Sequence, residues 1–332
     1  MTTTRTIGRS GREISAIGLG CMGLSEFYGP PTAEQDAVAL LHAAIDLGVT
    51  HFDTAEMYGM GHNETLLGKA FAGRWQEVFF ATKFGPLRDP ATGAFTGVDG
   101  SPANVRRAVE GSLQRLGAET IDLYYLHRVD PATPIEETVG EMAKLVAEGK
   151  VRWLGLSEAG SDTIRRACAV HPITALQTEY SIFNRNVEKS ILPVCRELGV
   201  SLVAYSPLGR GMLTGRFKQA ADVATGGDYR GAGLPQFSDE NFAANRALVD
   251  RIENVAADLG ATAAQVALAW VLGRGDDVVT IPGTTKLANL AANLGAYGVH
   301  LDDAARAVLD ELSDRVQGTR YPAASMRAVQ ED

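Results

Sequence analysis

The chain has 332 residues, 45% of them hydrophobic and 21% charged, the balance of an ordinary globular protein. Its 31 Lys and Arg against 40 Asp and Glu give a net charge of -9, which repels phosphate backbones and anionic lipid and argues against nucleic-acid or membrane-surface partners. The longest apolar runs, at 78–81 and 266–272, fall far short of the roughly 20 residues that a membrane span requires.

Residues 1–14 carry two arginines before position 10 but no apolar core, so neither a signal peptide nor a transit sequence is expected, and cytoplasmic residence is the default. The stretch TTTRTIGRSGREISAIG reads as two short strands around Gly8 to Gly11, a hairpin suited to plugging one end of a barrel. Strand-like runs then recur at 15–20, 50–55, 77–83, 121–127, 151–157, 173–180, 200–206 and 277–282. Helical spacing fills the intervals at 33–48, 101–117, 134–149, 159–170, 186–199, 239–260 and 285–296, the second opening on Ser-Pro and stopping at Gly117. Eight βα units without a composition break predict a single domain over 1–332, a (β/α)8 TIM barrel with an N-terminal β-hairpin cap. Long loops are expected at the barrel's C-terminal face, where 207–238 follows a strand end, and a tail runs over 314–332.

GLGCMG at 18–23 satisfies the GxGxxG phosphate fingerprint, but the following LSEFYGPP has two prolines and no helical period, so a Rossmann site is rejected. Cys21, Cys168 and Cys195 form no CxxC pair, and the six histidines show no HExxH or HxH spacing, so no metal site is expected. The strand ends are more informative, because side chains there converge on one mouth of a barrel. Asp53 ends THFD, Tyr58 follows five residues later, Lys83 ends VFFATK and His127 ends DLYYLH. Each alone would more often be a packed or paired group. Together they form a constellation: Lys83 needs a partner such as Asp53, a cation near Tyr58 would lower the phenol below its reference of about 10, and His127 could donate to a carbonyl oxygen that Tyr58 protonates.

FDTAEMYG, ATKFG, LYYLHR, GLSE, QTEYS and AYSPLGRGMLTG, in this order over nearly the whole chain, resemble the aldo-keto reductase superfamily. GLGCMGLSEFYG and IPGTTKLANLAAN further resemble its branch of perakine-reductase-like and auxin-induced-protein-like enzymes. The resemblance implies NADPH-dependent reduction of aldehydes or ketones, with NADH used more weakly and a small-molecule carbonyl compound as substrate. It implies Tyr58 as proton donor in a tetrad with Asp53, Lys83 and His127. It further implies that Ser157 and Gln177 hold the nicotinamide amide and that Tyr205 stacks on its ring, with Gly20, Met22 and Asp53 beside them. Ser206, Pro207, Leu208, Gly209, Arg210 and Gly211 match a loop at the pyrophosphate, and Ile281, Gly283, Thr284, Thr285, Lys286, Asn289 and Asn293 match the adenosine 2'-phosphate end. Glu158 stands where many members carry Asn; it either accepts from the amide NH2 or faces elsewhere.

Two other functions use the same residues: a Schiff-base aldolase on Lys83, and a nicotinamide-sensing regulatory protein like the channel β subunits. Substrate choice is expected to rest on Phe27, Tyr28, Phe84, Arg88, Phe95 and Arg128, where the arginines are either anion-recruiting groups or surface charges, and oligomeric state stays open.

Overall fold

In the computed structural model, which describes residues 2–223 and 227–331, the chain opens with an antiparallel hairpin, β1 (Thr4–Thr6) and β2 (Glu13–Ser15). Ile7 and Ile14 of this hairpin are buried with Phe79, Leu123, Val203 and Val279 in the barrel interior. The Gly8 N–H donates to Ser201 Oγ at 2.7 Å, at the start of a barrel strand, so the hairpin closes the N-terminal end as the sequence predicts.

The barrel then builds as β3 (Leu19–Gly20), α1 (Glu34–Asp46), β4 (His51–Asp53), α2 (His62–Phe71), β5 (Phe79–Phe84), the side hairpin β6 (Pro86–Arg88) and β7 (Phe95–Val98), α3 (Pro102–Leu116) and β8 (Ile121–Leu126). It continues through α4 (Ile135–Ala147), β9 (Val151–Ser157), α5 (Ser161–Val170), β10 (Ile173–Glu179), α6 (Ile191–Leu198) and β11 (Ser201–Tyr205). After α7 (Tyr229–Gly233), α8 (Asp239–Asp258) and α9 (Ala263–Leu272) come β12 (Val278–Thr280), α10 (Leu287–Leu294), α11 (Asp303–Asp310) and the short α12 (Ala323–Met326). The eight barrel strands pair in the order β12, β11, β10, β9, β8, β5, β4, β3, all parallel, and bridges Ile17 to Thr280 and Gly20 to Gly283 join the last strand to the first. The closure needs a glycine: a Cβ on Gly20 would lie 2.8 Å from the Ile281 carbonyl oxygen.

Helix α3 shows why these segments fold locally. Ser101 Oγ caps it through the Asn104 N–H at 3.3 Å, Pro102 opens it, and Gly117 ends it at φ 63. Its face of Val105, Ala108, Val109 and Leu116 buries against the barrel, each large side chain stabilising by about 1.5–3 kcal/mol. No single described helix is long and apolar enough to cross a membrane.

Several elements depart from the sequence expectation. The run 15–20 splits: Ser15 ends the hairpin, Leu19–Gly20 pairs with β4 as the first barrel strand, and Ile17 between them bridges to Thr280 of the last strand. Helix α2 carries Gly68 where a Cβ would meet the Leu116 and Arg115 carbonyls at 2.6 and 2.7 Å, a glycine required by close approach to the end of α3 that masks the helix in the sequence. Helix α9 is buried on every side from Val266 to Leu272 and so lacks the amphipathic period that marks its neighbours. The stretch 207–238 contains short helices including α7, and its residues 224–226 lie outside the described residues. The tail beyond α11 returns to the mouth, where the Gln330 N–H donates to the Glu158 carbonyl at 3.1 Å.

Candidate active site

Three neighbouring strand ends, of β4, β5 and β8, present Asp53, Lys83 and His127 at one opening, and the turn after β4 returns Tyr58 to it. Lys83 is fully buried and donates to an Asp53 oxygen, to the Thr54 carbonyl at 2.8 Å and to Tyr58 Oη at 3.3 Å. The other Asp53 oxygen accepts from Gln177 Nε2 at 2.7 Å, so Lys83, Asp53 and Tyr58 share one hydrogen-bond network with β10. The Tyr58 ring meets His127 edge to face at 5.7 Å, with both residues 7% exposed. His127 Nδ1 is buried without a hydrogen-bond partner among the described residues, which leaves Nε2 as the nitrogen on the open side.

Burial sets the protonation states. It pushes the Tyr58 phenol well above its ordinary value; Asp53 adds to the rise and the Arg128 charge opposes it. The expectation that a cation would lower this phenol is therefore corrected: desolvation outweighs the opposing Arg128 charge, and Tyr58 stays protonated. His127 is held well below the usual imidazole range by burial and by the Lys83 and Arg128 charges, so it is neutral. Burial raises the Asp53 carboxyl and lowers the Lys83 ammonium, while their contact pulls each back toward the charged form.

Beside this group, β9, β10 and β11 bring Ser157, Gln177 and Tyr205 together, Gln177 lying in register with Ser157. Glu158, at φ 55, occupies a left-handed conformation that costs a non-glycine residue about 1–2 kcal/mol. Its carboxylate does not project freely: it accepts from Arg320 at 2.8 and 2.7 Å and from the Glu179 N–H at 3.1 Å. Burial alone would raise this carboxyl, but the Arg320 hydrogen bonds and the neighbouring charges hold it down at about 2. Glu158 thus anchors the tail through Arg320. Arg320 also reaches Tyr205 Oη at 3.4 Å, and Tyr321 Oη lies 3.0 Å from the same oxygen. Arg320→Ala is expected to strand Glu158 and loosen the tail by about 1–3 kcal/mol; limited proteolysis should then cut within 316–331 faster than in the unaltered protein.

The loop after β11 turns sharply, with Ser206, Gly209, Arg210 and Gly211 all at positive φ between 49 and 97 degrees. Pro207 and Gly209 are buried and Leu208 half-buried. The Arg210 guanidinium turns away from this turn into a buried pair with Glu179, so the loop offers its backbone there. Gly20 and Gly283 bridge the two sides of the barrel closure; Ile281 is buried behind them, and Met22 lies in the turn after β3. Gly283, Thr285, Lys286 and Asn289 are exposed, Thr284 half-buried and Asn293 buried; Gly283 to Lys286 lead into α10, whose N-cap is Lys286, Asn289 lies in its first turn and Asn293 near its end. The positive-φ backbone of the loop after β11, the polar side chains beside Tyr205 and the start of α10, which no side chain caps, are features that suit an extended phosphate-bearing dinucleotide.

On the substrate side, Phe27 and Tyr28 pack edge-on against Tyr229. Phe84 is instead a core residue, stacked on Tyr124 at 4.9 Å, because it alternates away from Lys83 along β5. Phe95 is 58% exposed. Arg88 is consumed by Glu26 Oε2 at 2.6 Å and the Met57 and Gly93 carbonyls. Glu179, Arg320 and Tyr321 escape the sequence reading, although a carboxylate ending the apolar run ITALQTE signals a buried partner.

A model of the aldo/keto reductase family matches residues 16–314. A probable aldo-keto reductase of Glycine max is 49% identical over 300 residues, covering 90% of this chain and 85% of that relative. Among solved structures, a glycerol dehydrogenase of Gluconobacter oxydans superposes with a TM-score of 0.85 at 31% identity, covering 96% of this chain and 98% of that one. An aldo-keto reductase of Klebsiella pneumoniae in complex with NADPH superposes with a TM-score of 0.74 at 30% identity, covering 97% and 99%.

Proposed function

The chain belongs to the aldo/keto reductase family, and from that premise we propose that it reduces aldehydes or ketones to alcohols with NADPH, Tyr58 giving the proton to the carbonyl oxygen. We take its residues 1–332 to act as one domain. The observation that carries the proposal is the buried contact of Lys83 with both Asp53 and Tyr58 Oη, with His127 edge-on to the same phenol.

Bound reduced nicotinamide supplies a hydride to the carbonyl carbon. Ser157 and Gln177 would hold its amide, Tyr205 would lie against the ring, and the Ser206 to Gly211 backbone would meet the pyrophosphate. Gly283, Thr284, Thr285, Asn289 and Asn293 would line the 2'-phosphate end with Lys286, an exposed point charge that would favour NADPH and leave NADH a weaker donor. His127, neutral, donates from Nε2 to the carbonyl oxygen and orients it toward Tyr58. Tyr58 then releases its proton as negative charge develops on that oxygen, and Lys83 stabilises the resulting phenolate. Lys83 already serves three acceptors and is fully buried, which favours this positioning role over imine formation.

The test is nicotinamide absorbance with purified protein, a panel of aromatic and aliphatic aldehydes, and NADPH or NADH in parallel. Aldehyde-dependent NADPH oxidation supports the proposal; absence of nicotinamide binding by fluorescence titration removes it.

The pH dependence follows from the signs above. A phenol raised by burial stays protonated on the alkaline side, and an imidazole lowered by burial stays neutral on the acid side. The kcat/KM for reduction should therefore be level from roughly pH 6 to 9; a limb within that range in the wild-type profile would contradict these protonation states.

A further inference from the structure

Most arginines of this chain that leave the surface are met by a carboxylate: Arg210 by Glu179, Arg320 by Glu158, Arg115 by Glu64, Arg88 by Glu26. Arg128 is not. Among the described residues it is the one arginine that is neither exposed nor within 4.0 Å of a carboxylate oxygen. The others without such a partner, Arg9, Arg12, Arg216, Arg306, Arg315 and Arg327, are all exposed. Glu158, itself paired with Arg320, acts on the Arg128 charge from a distance, but no carboxylate touches this partly buried guanidinium, which leaves it free to meet an incoming anion directly.

Its place is the reaction mouth. Arg128 directly follows His127, and its Nη1 donates to the His127 carbonyl at 2.8 Å and to Ser157 Oγ at 3.3 Å. The guanidinium thereby folds across from the end of β8 to the end of β9. Its Nε and Nη2 make no hydrogen bond among the described residues and are not fully enclosed, so this two-donor edge is free to accept a ligand. That edge has the spacing of a carboxylate's two oxygens. The acidic groups that would oppose an anion here, Glu158 and Glu179, are each neutralised by Arg320 and Arg210. Arg128's charge also bears on Tyr58, Lys83 and His127, which places it beside the position a reacting carbonyl would take.

We propose that Arg128 is the specificity-determining residue of this site, and that its preferred substrates are short oxo acids whose carboxylate docks on Nε and Nη2 while their carbonyl meets Tyr58 and His127. The proposal rests on the reductase reading above. The carboxylate takes no part in bond changes: the carbonyl carbon gains a hydride, its oxygen gains the Tyr58 proton, NADPH becomes NADP+, and solvent returns the proton to Tyr58. The product is the corresponding hydroxy acid.

The experiment compares matched pairs, butanal with succinic semialdehyde and benzaldehyde with 2-carboxybenzaldehyde, in the wild type, Arg128→Lys and Arg128→Met. The wild-type kcat/KM should favour the carboxylated member of at least one pair. In Arg128→Met that preference should fall about 10- to 100-fold, mainly through KM, with Arg128→Lys between. A measurement that needs no variant is inhibition of butanal reduction: benzoate should compete with the aldehyde and benzamide should not. Reduction of neutral aldehydes with no preference and no benzoate competition overturns the proposal and leaves the reductase reading standing. Equal losses for both members of a pair in Arg128→Met also overturn it, since Arg128 would then act on Tyr58 or His127 rather than on substrate. If NADPH binds nowhere on the protein, the reductase reading fails and this proposal fails with it.

Discussion

Tyr58→Phe is expected to lower kcat for carbonyl reduction by about 10^2- to 10^4-fold while NADPH still binds. The substitution removes one hydroxyl and keeps the ring that packs edge-on against His127, so the pocket keeps its shape. What disappears is the proton donor on which Lys83 Nζ converges at 3.3 Å. Because the lost interaction acts in the transition state, kcat and kcat/KM should fall together. Single-turnover absorbance changes with saturating NADPH measure the first, and fluorescence titration measures cofactor affinity. A variant that retains its rate would remove Tyr58 from the chemistry, whatever else the barrel does.

Lys83→Met is expected to do two separable things. It leaves the Asp53 carboxylate, 2% exposed, without its counter-ion, a loss of about 3–5 kcal/mol in stability. It also deprives Tyr58 of the cation that stabilises its conjugate base, so activity should fall by a factor comparable to that of Tyr58→Phe. The double variant Lys83→Met with Asp53→Asn tells the two apart. Asn removes the stranded charge yet keeps a side-chain oxygen to accept from Gln177 Nε2, which now donates to Asp53 at 2.7 Å. Denaturant unfolding should show most of the stability restored in the double variant, whereas its turnover should stay as low as in Lys83→Met. Recovery of both would make the pair a structural ion pair only.

The sequence made the βα alternation legible because each strand ends in a turn signal and each amphipathic helix shows its apolar period. The strand-end groups Asp53, Lys83 and His127 followed from that alone, since parallel strands of one barrel must present their C-terminal ends at one mouth. Other features depend on facts that no local window holds. Helix α9 lacks a polar face because it is enclosed by neighbours distant in the chain, and α2 carries Gly68 because the end of α3 lies against it. The partner of Glu158 is Arg320, 162 residues further on, and only the return of the tail reveals it. The protonation of Tyr58 shows the same limit: the Arg128 charge near it is visible in the motifs, but the depth of burial that outweighs it is a property of the folded site.

The most direct test of the account follows one atom. The protein is incubated with NADPH carrying deuterium at the transferable position of nicotinamide C4 and with the best aldehyde of the panel, and the alcohol is examined by mass spectrometry and NMR. One deuterium is expected on the carbinol carbon and none on oxygen after exchange, with labelled alcohol at least about 10^2-fold scarcer when Tyr58→Phe replaces the wild type over the same interval. Alcohol formed without the label, or NADPH oxidised without alcohol, would contradict hydride transfer at this site.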